Sequence, residues 1–124
     1  MGDMFEYTDA RLQDEKNRQN SIETDDEEIQ LEWYRLQRRI TFFAEKEYKA
    51  AIKLGIAKEL ARKVLPEGLT KTRIYMNGTL RSWVHYIDLR SANGTQKEHM
   101  DIALGAKEIF IEQFPSVAEA MEWI

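Results

Sequence analysis

A long apolar stripe in the first half of the chain constrains the fold more than any other feature. Its large apolar side chains recur four and three residues apart: Ile29, Trp33, Leu36, Ile40 and Phe43. This spacing places side chains on one face of an α-helix. The stripe predicts one amphipathic helix from Thr24 to about Leu54, roughly 45 Å long at 1.5 Å per residue. We expect this helix to pack against the third and fourth helices of the chain.

Both ends of this long helix carry local signals. Thr24 followed three residues later by Glu27 is a capping-box pattern, and it predicts that Thr24 caps the first turn. The acidic run 25–28 lies where the helix dipole favours negative charge. We interpret this run as part of the cap and not as a metal site, because consecutive carboxylates on a helix diverge. Gly55 fits the position that ends the helix.

The remaining patterns predict an α+β chain that is mostly helical. Residues 1–23 are polar and irregular, and we interpret them as an extended arm or loop before a helical portion at 24–124. The segment 70–76 favours a strand, and a further strand is expected in the first twenty residues. One or two strands would form an incomplete sheet, beside which the long helix packs on two further helices.

Four shorter helices are predicted after the long one. Pro66 stops the first of them, and Pro115 breaks the third. Ser116 and Glu119 then form a second capping-box pattern for the last helix. The predicted ranges are 57–65, about 79–91, about 96–114 and 116–124.

Composition removes several classes of function. A net charge of −4 argues against a general nucleic-acid binder, although it permits a local basic pocket for a small anion. The chain has no cysteine, which excludes disulfides, thiolate nucleophiles and Cys-type zinc sites. His85 and His99 are the only imidazoles, and their spacing matches no familiar metal pair, so we predict no metal site. Glu98 and Asp101 share a helix face but lack a second carboxylate pair, which weakens a magnesium-dependent nucleotide hydrolase reading.

The sequence favours a cytoplasmic location. No apolar run is long enough to cross a bilayer, so we expect no membrane association. The first nine residues, MGDMFEYTD, are acidic and lack the order of a basic region followed by an apolar region that marks a secretory signal.

An arginine interrupts the apolar face of the predicted third helix. That face is formed by Leu80, Trp83, Val84 and Ile87, and the same spacing next reaches Arg90. At about 100° per residue, Arg90 projects about 60° from the centre of the face near Ile87. A buried guanidinium needs a counter-charge, because its desolvation is costly. Arg90 therefore extends to water, pairs with a carboxylate such as Glu98 or one on the first helix, or faces a ligand anion, and spacing alone leaves these three outcomes open.

The other charged positions also have plain structural interpretations. Arg81, His85 and Asp88 cluster on the polar side of the third helix, where His85 can be just a polar neighbour. In the second helix, Leu60, Val64 and Leu65 are predicted to point inward. Arg62 would then point outward, either as a solvated surface residue or as a functional one, and both interpretations stay open.

Several motifs occur together in one order. They are ARKVLP at Ala61–Pro66, a Thr- and aromatic-containing segment, LRSWVHYIDLR at Leu80–Arg90, and Gln96 with Glu98; ARLQDEKNRQNS at Ala10–Ser21 precedes them. This ordered set resembles the C-terminal half of the flavin-dependent thymidylate synthases. The resemblance extends from about Phe5 to Trp123.

The resemblance implies an activity and its cofactors. This family methylates dUMP to dTMP, with methylenetetrahydrofolate as carbon donor, FAD as hydride carrier and NADPH as reductant. The resemblance also implies a homotetramer with active sites between subunits. Arg90 matches an arginine that contacts and activates the dUMP base, and is the implied catalytic residue. Arg62 matches an arginine that holds dUMP from another subunit. The implied flavin-contacting residues are Thr79, Leu80, Arg81, His85, Leu89 and Gln96.

The sequence also departs from the family pattern. The Arg-His-Arg signature that precedes this region in the family, and that supplies much of the flavin and phosphate binding, is absent. Thr95 replaces the usual Ala, and Gly94 stands where a histidine can occur. We therefore expect a C-terminal part that needs a separate or missing N-terminal half for activity. The alternatives are a non-catalytic assembly or binding module derived from the family, and a plain helical interaction protein.

Overall fold

The computed structural model describes residues 4–92 and 94–124. Within them the chain is mostly helical with one small antiparallel sheet, so the predicted α+β class is confirmed. The elements, in chain order, are β1 Arg11–Gln13, β2 Ser21–Glu23, α1 Glu27–Lys53, α2 Lys58–Ala61, α3 Leu80–Arg90, α4 Lys97–Gln113 and α5 Pro115–Ala120. Single 3₁₀ turns occupy Arg62–Val64 and Glu67–Leu69. In the described ranges, no helix is both long and apolar enough to cross a membrane.

The chain folds as two compact units. The first contains the segment that ends at Arg11 together with Glu23–Ile74, and the second contains Leu12–Ile22 and Tyr75–Ile124. Helix α1 lies in the first unit, whereas α3, α4 and α5 lie in the second. The predicted packing of the long helix on the third and fourth helices involves both units, and it stays a prediction, as does the division at residues 23 and 24.

Helix α1 starts two residues later than the capping box predicted. The N-cap is Asp26, whose carboxylate accepts hydrogen bonds from the backbone N–H groups of Glu28 and Ile29 at 3.0 and 3.2 Å. The Thr24 hydroxyl instead accepts from the backbone N–H of Asp26 at 3.2 Å. Both Thr and Asp are good caps, and the carboxylate adds favourable charge at the helix N-terminus.

The predicted end of α1 at Gly55 is confirmed. Gly55 has φ of +81°, a left-handed conformation that glycine adopts without steric cost. Its N–H donates to the carbonyl of Ile52 at 3.0 Å, and the N–H of Ile56 donates to that of Ala51 at 3.1 Å. These two hydrogen bonds form a Schellman motif, which satisfies carbonyls that the helix leaves free.

The covered face of α1 is polar, contrary to the expectation from the apolar stripe. Gln37 and Thr41 are 3% exposed, whereas Ile40 and Phe43 of the stripe are 57% and 60% exposed. The N-terminal arm covers the polar face, since the Tyr7 hydroxyl lies 2.6 Å from that of Thr41. The stripe predicted the helix correctly, but it could not identify which face the arm would occupy.

Two glutamine side chains join α1 to this arm. The amide of Gln37 accepts from the N–H of Thr8 at 2.9 Å and donates to its carbonyl at 3.0 Å. The amide of Gln30 does the same with Ala10, at 2.8 and 3.0 Å. Each primary amide thereby replaces one residue of a neighbouring strand, which satisfies the backbone of the arm without a sheet.

The predicted strand at 70–76 is wrong. Only Thr70 forms a β-bridge, with Phe5. Ile74, Tyr75 and Met76 follow in irregular conformation and are 78%, 86% and 66% exposed. A β-prone segment becomes a strand only when another segment supplies its hydrogen bonds, and the described residues offer this one bridge. The expectation of a strand in the first twenty residues is met by β1.

The second unit confirms the third and fourth helices to within a residue or two. Thr79 caps α3 by accepting from the N–H of Ser82 at 3.1 Å, and Gln96 caps α4. The second capping box is wrong, because α5 already begins at Pro115 and Ser116 lies inside the helix. Proline is favourable at the first helical position because it lacks a backbone N–H, and the N–H of another residue at this position would have no intrahelical partner.

The last helix ends at Ala120 and not at Ile124. The N–H of Trp123 donates to the carbonyl of Ala118 at 2.9 Å, and that of Glu122 to the carbonyl of Glu119 at 3.0 Å. Glu122 has φ of 60°, so a non-glycine residue occupies the left-handed position of this Schellman motif. This turn directs the chain away from the helix axis at Trp123.

Candidate functional site

Helix α3 carries most of the predicted site residues, and its two sides differ as the spacing indicated. Ile87, the predicted centre of the apolar face, is 0% exposed in the unit where α3 packs against α4. Arg81 and His85 lie one turn apart on the polar side, and both are exposed. In the described part of the chain, neither side chain makes a hydrogen bond or an ion pair. They are therefore available to an external anion.

Arg90 is exposed at the last turn of α3. Its spacing left three outcomes open, and the structure shows the first of them: the guanidinium is exposed to solvent and forms no ion pair with any described residue. Its position is favourable in itself, because a cation in the last turn complements the helix dipole. Burial does not demand a counter-anion for Arg90 in this chain, so a role for it needs other support.

An aromatic cluster lies on the same side of α3 as Arg90. Tyr86 is one turn before Arg90, and its ring meets that of Trp83 edge-on at 5.7 Å between centroids. Its hydroxyl lies 3.1 Å from Nε2 of His99 on α4. Sequence reasoning did not identify Tyr86 or His99 as a pair. No signal could have done so, because a loop and a change of helix separate them.

A second contact anchors the polar side of α3. The indole N–H of Trp123 donates to Oδ1 of Asp88 at 3.2 Å. The Trp123 ring meets Phe110 of α4 at 5.5 Å and 76° between planes, and Nζ of Lys107 lies 5.4 Å from its centre. Trp123 was not predicted as part of the site, since its approach depends on the turn at Glu122.

An apolar hollow of about 240 Å³ opens beside the start of α3. Its wall is almost entirely hydrocarbon, and Leu80 contributes to it. The lining residues are Leu80, Trp83, Ala106, Ile109, Phe110, Gln113 and Phe114. Thr79 and Arg81, the neighbours of Leu80, are exposed and polar. The Thr79 hydroxyl already donates to Oγ of Ser82 at 3.0 Å. The start of α3 thus combines an apolar hollow with one available cation, Arg81.

Two further predicted flavin residues have different surroundings. Leu89 is 55% exposed on α3. Gln96 is exposed and already engaged, because its Oε1 accepts from the N–H of His99 at 3.0 Å and its amide donates to Glu98. Gln96 therefore has a capping role in α4.

Arg62 lies in the first unit, at the start of a 3₁₀ turn, and is exposed. The inward residue of this segment is Ala61, at 2% exposure. The prediction that Leu60 and Val64 point inward is wrong, because they are 52% and 48% exposed; Leu65 is half-buried. The short helix packs on α1 through a small side chain, which allows close approach. Arg62 and the α3 residues thus lie in different units of the chain.

Comparison with known proteins identifies the family. The family model described as "Thymidylate synthase complementing protein" matches residues 5–116.

The chain belongs to the flavin-dependent thymidylate synthase family.

Two relatives support this at high identity. A probable flavin-dependent thymidylate synthase of Paramecium bursaria Chlorella virus 1 is 51% identical over 115 residues, which cover 93% of this chain and 53% of the viral protein. The flavin-dependent thymidylate synthase of Synechocystis is 46% identical over 119 residues, covering 96% of this chain and 55% of that protein. That of Kosmotoga olearia is 34% identical over 110 residues. The chain spans about half the length of these relatives.

Family membership gives the α3 geometry a chemical context. Within the described ranges, no three His, Asp or Glu side chains come together as metal ligands. The available groups of the second unit are instead cationic or hydrogen-bonding: Arg81 and His85 on one side of the helix, and Arg90 on the other. Helix α3 thus exposes cationic and hydrogen-bonding groups on two separate sides.

Proposed function

We propose that this chain is the C-terminal part of a flavin-dependent thymidylate synthase that converts dUMP to dTMP. The match of residues 5–116 to the family model carries the proposal. The chain spans about half of its relatives' length, and its sequence lacks the Arg-His-Arg signature. Activity therefore requires an N-terminal part, supplied separately or by a longer polypeptide.

The proposed nucleotide side is Arg90, assisted by Arg62. A guanidinium is permanently charged and offers several N–H donors in a fixed plane, so it suits an ionised base or a phosphate. The proposed role of Arg90 is to stabilise negative charge that develops on the dUMP base. Such stabilisation is strong only where water is excluded. Because Arg90 is exposed in this chain, the water exclusion must come from another segment or subunit.

The proposed flavin side is the start of α3 together with the face that carries Arg81 and His85. The start of the helix fits an anionic cofactor with an apolar ring system, because exposed Thr79 and Arg81 adjoin the hollow lined by Leu80. His85 adds a hydrogen-bonding group one turn on, and Leu89 and Gln96 are the remaining proposed contacts. Bound FAD would carry the hydride that NADPH supplies, with methylenetetrahydrofolate as carbon donor. The protein groups bind and orient this cofactor.

The test is ligand binding by this chain joined to, or mixed with, an N-terminal part that carries the Arg-His-Arg signature. We expect Arg90→Ala to raise the Kd for dUMP about 10- to 100-fold, as for loss of a charge-assisted hydrogen bond. Arg90→Lys should recover only part of this, because an ammonium lacks the planar fork. Arg18→Ala is the matched control, since Arg18 is exposed and lies in the β1–β2 connection.

Two results would count against the proposal. If Arg90→Ala binds dUMP and turns it over like the unmodified protein, the role given to Arg90 is wrong. If the complemented protein binds neither dUMP nor FAD, the enzymatic proposal as a whole is wrong.

A second candidate is a non-catalytic assembly or binding module derived from the family. The apolar stripe of α1 favours it, since its members Ile40 and Phe43 are 57% and 60% exposed, and the adjacent Phe42 is 64% exposed. Exposed apolar surface of this kind marks interaction sites, and it also suits the homotetramer that the family resemblance implies. Sedimentation and FAD titration of the complemented protein separate the candidates: the module assembles without binding flavin, whereas the enzyme binds it.

A further inference from the structure

Asp88 is a potential competitor for the proposed flavin anion. It lies three residues after His85 and seven after Arg81, so all three occupy the same side of α3. A free carboxylate at this place would pair with His85 or Arg81 and oppose a bound anion. In the described residues, however, Asp88 forms no ion pair with either of them. The structure gives a physical reason for this.

Trp123 engages the carboxylate instead. Its indole N–H donates to Oδ1 of Asp88 at 3.2 Å. An indole N–H is a donor only, so it binds the carboxylate without supplying a charge that would compete for the ligand. This hydrogen bond restrains Asp88 toward the C-terminal turn.

Three independent contacts keep the indole at this place. Its ring meets Phe110 edge-on at 5.5 Å, and Nζ of Lys107 lies 5.4 Å from the ring centre. Its backbone N–H is bonded to the carbonyl of Ala118 at 2.9 Å. The turn that makes this bond has Glu122 at φ of 60°. The Trp123 side chain is consequently fixed by α4 and α5 before it meets Asp88.

We propose that Trp123 is a positioning residue that restrains Asp88 and thereby leaves Arg81 and His85 free for the anionic part of the flavin cofactor. The inference rests on the proposed function for the identity of the ligand. It assigns to the C-terminal turn a role in cofactor affinity, although Trp123 itself does not touch the cofactor.

The test uses the complemented protein and the Kd for FAD, with the Kd for dUMP as internal reference. Trp123→Phe keeps the ring on Phe110 and removes the N–H. We expect it to raise the Kd for FAD about two- to fivefold, the effect of an exposed ion pair that competes with the ligand. The double variant Trp123→Phe with Asp88→Asn should return the Kd to the unmodified value, because the competing charge is gone. The dUMP Kd should not change.

Trp33→Phe is the matched control. It removes the same indole N–H, here bonded to the Thr8 hydroxyl at 3.4 Å in the first unit, and should leave FAD binding unchanged. Thermal melts accompany every variant. As a second measurement, the indole N–H of Trp123 in the unmodified protein should exchange slowly with solvent and lose that protection in Asp88→Ala.

The outcomes separate this inference from the proposed function. The inference is supported if Asp88→Asn lowers the FAD Kd more in Trp123→Phe than in the unmodified protein, since removal of this carboxylate favours an anion in both backgrounds and only restraint by Trp123 makes the two effects unequal. An unchanged FAD Kd in Trp123→Phe, or a failure of the double variant to recover it, overturns the inference while the proposed function stands. Failure of the unmodified complemented protein to bind either FAD or dUMP overturns both.

Discussion

Replacement of Gln37 by methionine tests how the arm is held on α1. Methionine keeps the length and much of the volume of glutamine but removes its amide. Gln37 makes two hydrogen bonds to the backbone of Thr8, at 2.9 and 3.0 Å. A typical net value is about 0.5–1.5 kcal/mol for each, so the expected loss in free energy of unfolding is about 1–3 kcal/mol. Because Gln37 is 3% exposed, water cannot simply take the place of its amide.

The assay combines urea denaturation with amide hydrogen exchange. Gln37→Met should lower the urea midpoint and speed exchange at the Thr8 N–H, which loses its acceptor. Gln19→Met is the control, since Gln19 is exposed in the β1–β2 connection and should shift the midpoint little. A change below about 0.3 kcal/mol in Gln37→Met, with Thr8 still protected, would show that the arm is held elsewhere, and the amide argument would be refuted.

Two smaller predictions concern caps and turns. Asp26→Ala should lower the free energy of unfolding by about 1 kcal/mol and Thr24→Ala by less than half of that, because Asp26 is the N-cap of α1. Equal losses for the two variants in chemical denaturation would contradict the assignment of Asp26 as the N-cap. Hydrogen bonds from the Asn20 side chain, and then from the backbone N–H groups of Lys16 and Asn17, lower the pKa of Asp14. A lowered pKa stabilises the β1–β2 connection above the ordinary pKa range of an aspartate, and this support is lost as the pH falls through the folded pKa. Asn20→Ala should raise the pKa of Asp14 toward its usual value in an NMR titration, and an unmoved pKa would contradict this cause.

Much of the secondary structure could be predicted because it depends on neighbours in sequence. The apolar period predicted α1, α3 and α4, and Gly55 marked the end of α1 through its own backbone freedom. The second helix, predicted over 57–65 and stopped by Pro66, is α-helical only at Lys58–Ala61 and continues as a 3₁₀ turn to Val64. Where two good caps stand close together, as at Thr24 and Asp26, the sequence identified the region but not the residue. The same holds for α5. It begins at Pro115, which is a favourable first helical residue, and not after the capping box of Ser116 and Glu119.

The candidate site was predictable only in part. The spacing of α3 separated Arg90 from Arg81 and His85, and the ordered motifs indicated the family, which the match over residues 5–116 establishes. The spacing did not reveal that Arg90 is exposed in this chain, nor that Tyr86 meets His99 or Trp123 meets Asp88. Those contacts join residues that are 13 and 35 positions apart, so the spacing of side chains along one helix could not predict them. The role of each site residue remains the proposal stated above.

By itself, the sequence determined the three longest helices, the end of α1 at Gly55 and the family to which the chain belongs, because backbone preferences and motif order act over a few residues. Tertiary structure alone decided that the arm would cover Gln37 and Thr41 and leave the apolar stripe exposed. It also decided that Thr70 would form an isolated bridge and that an indole would restrain Asp88. These outcomes depend on contacts between segments distant in sequence, which the local preferences of single residues do not specify.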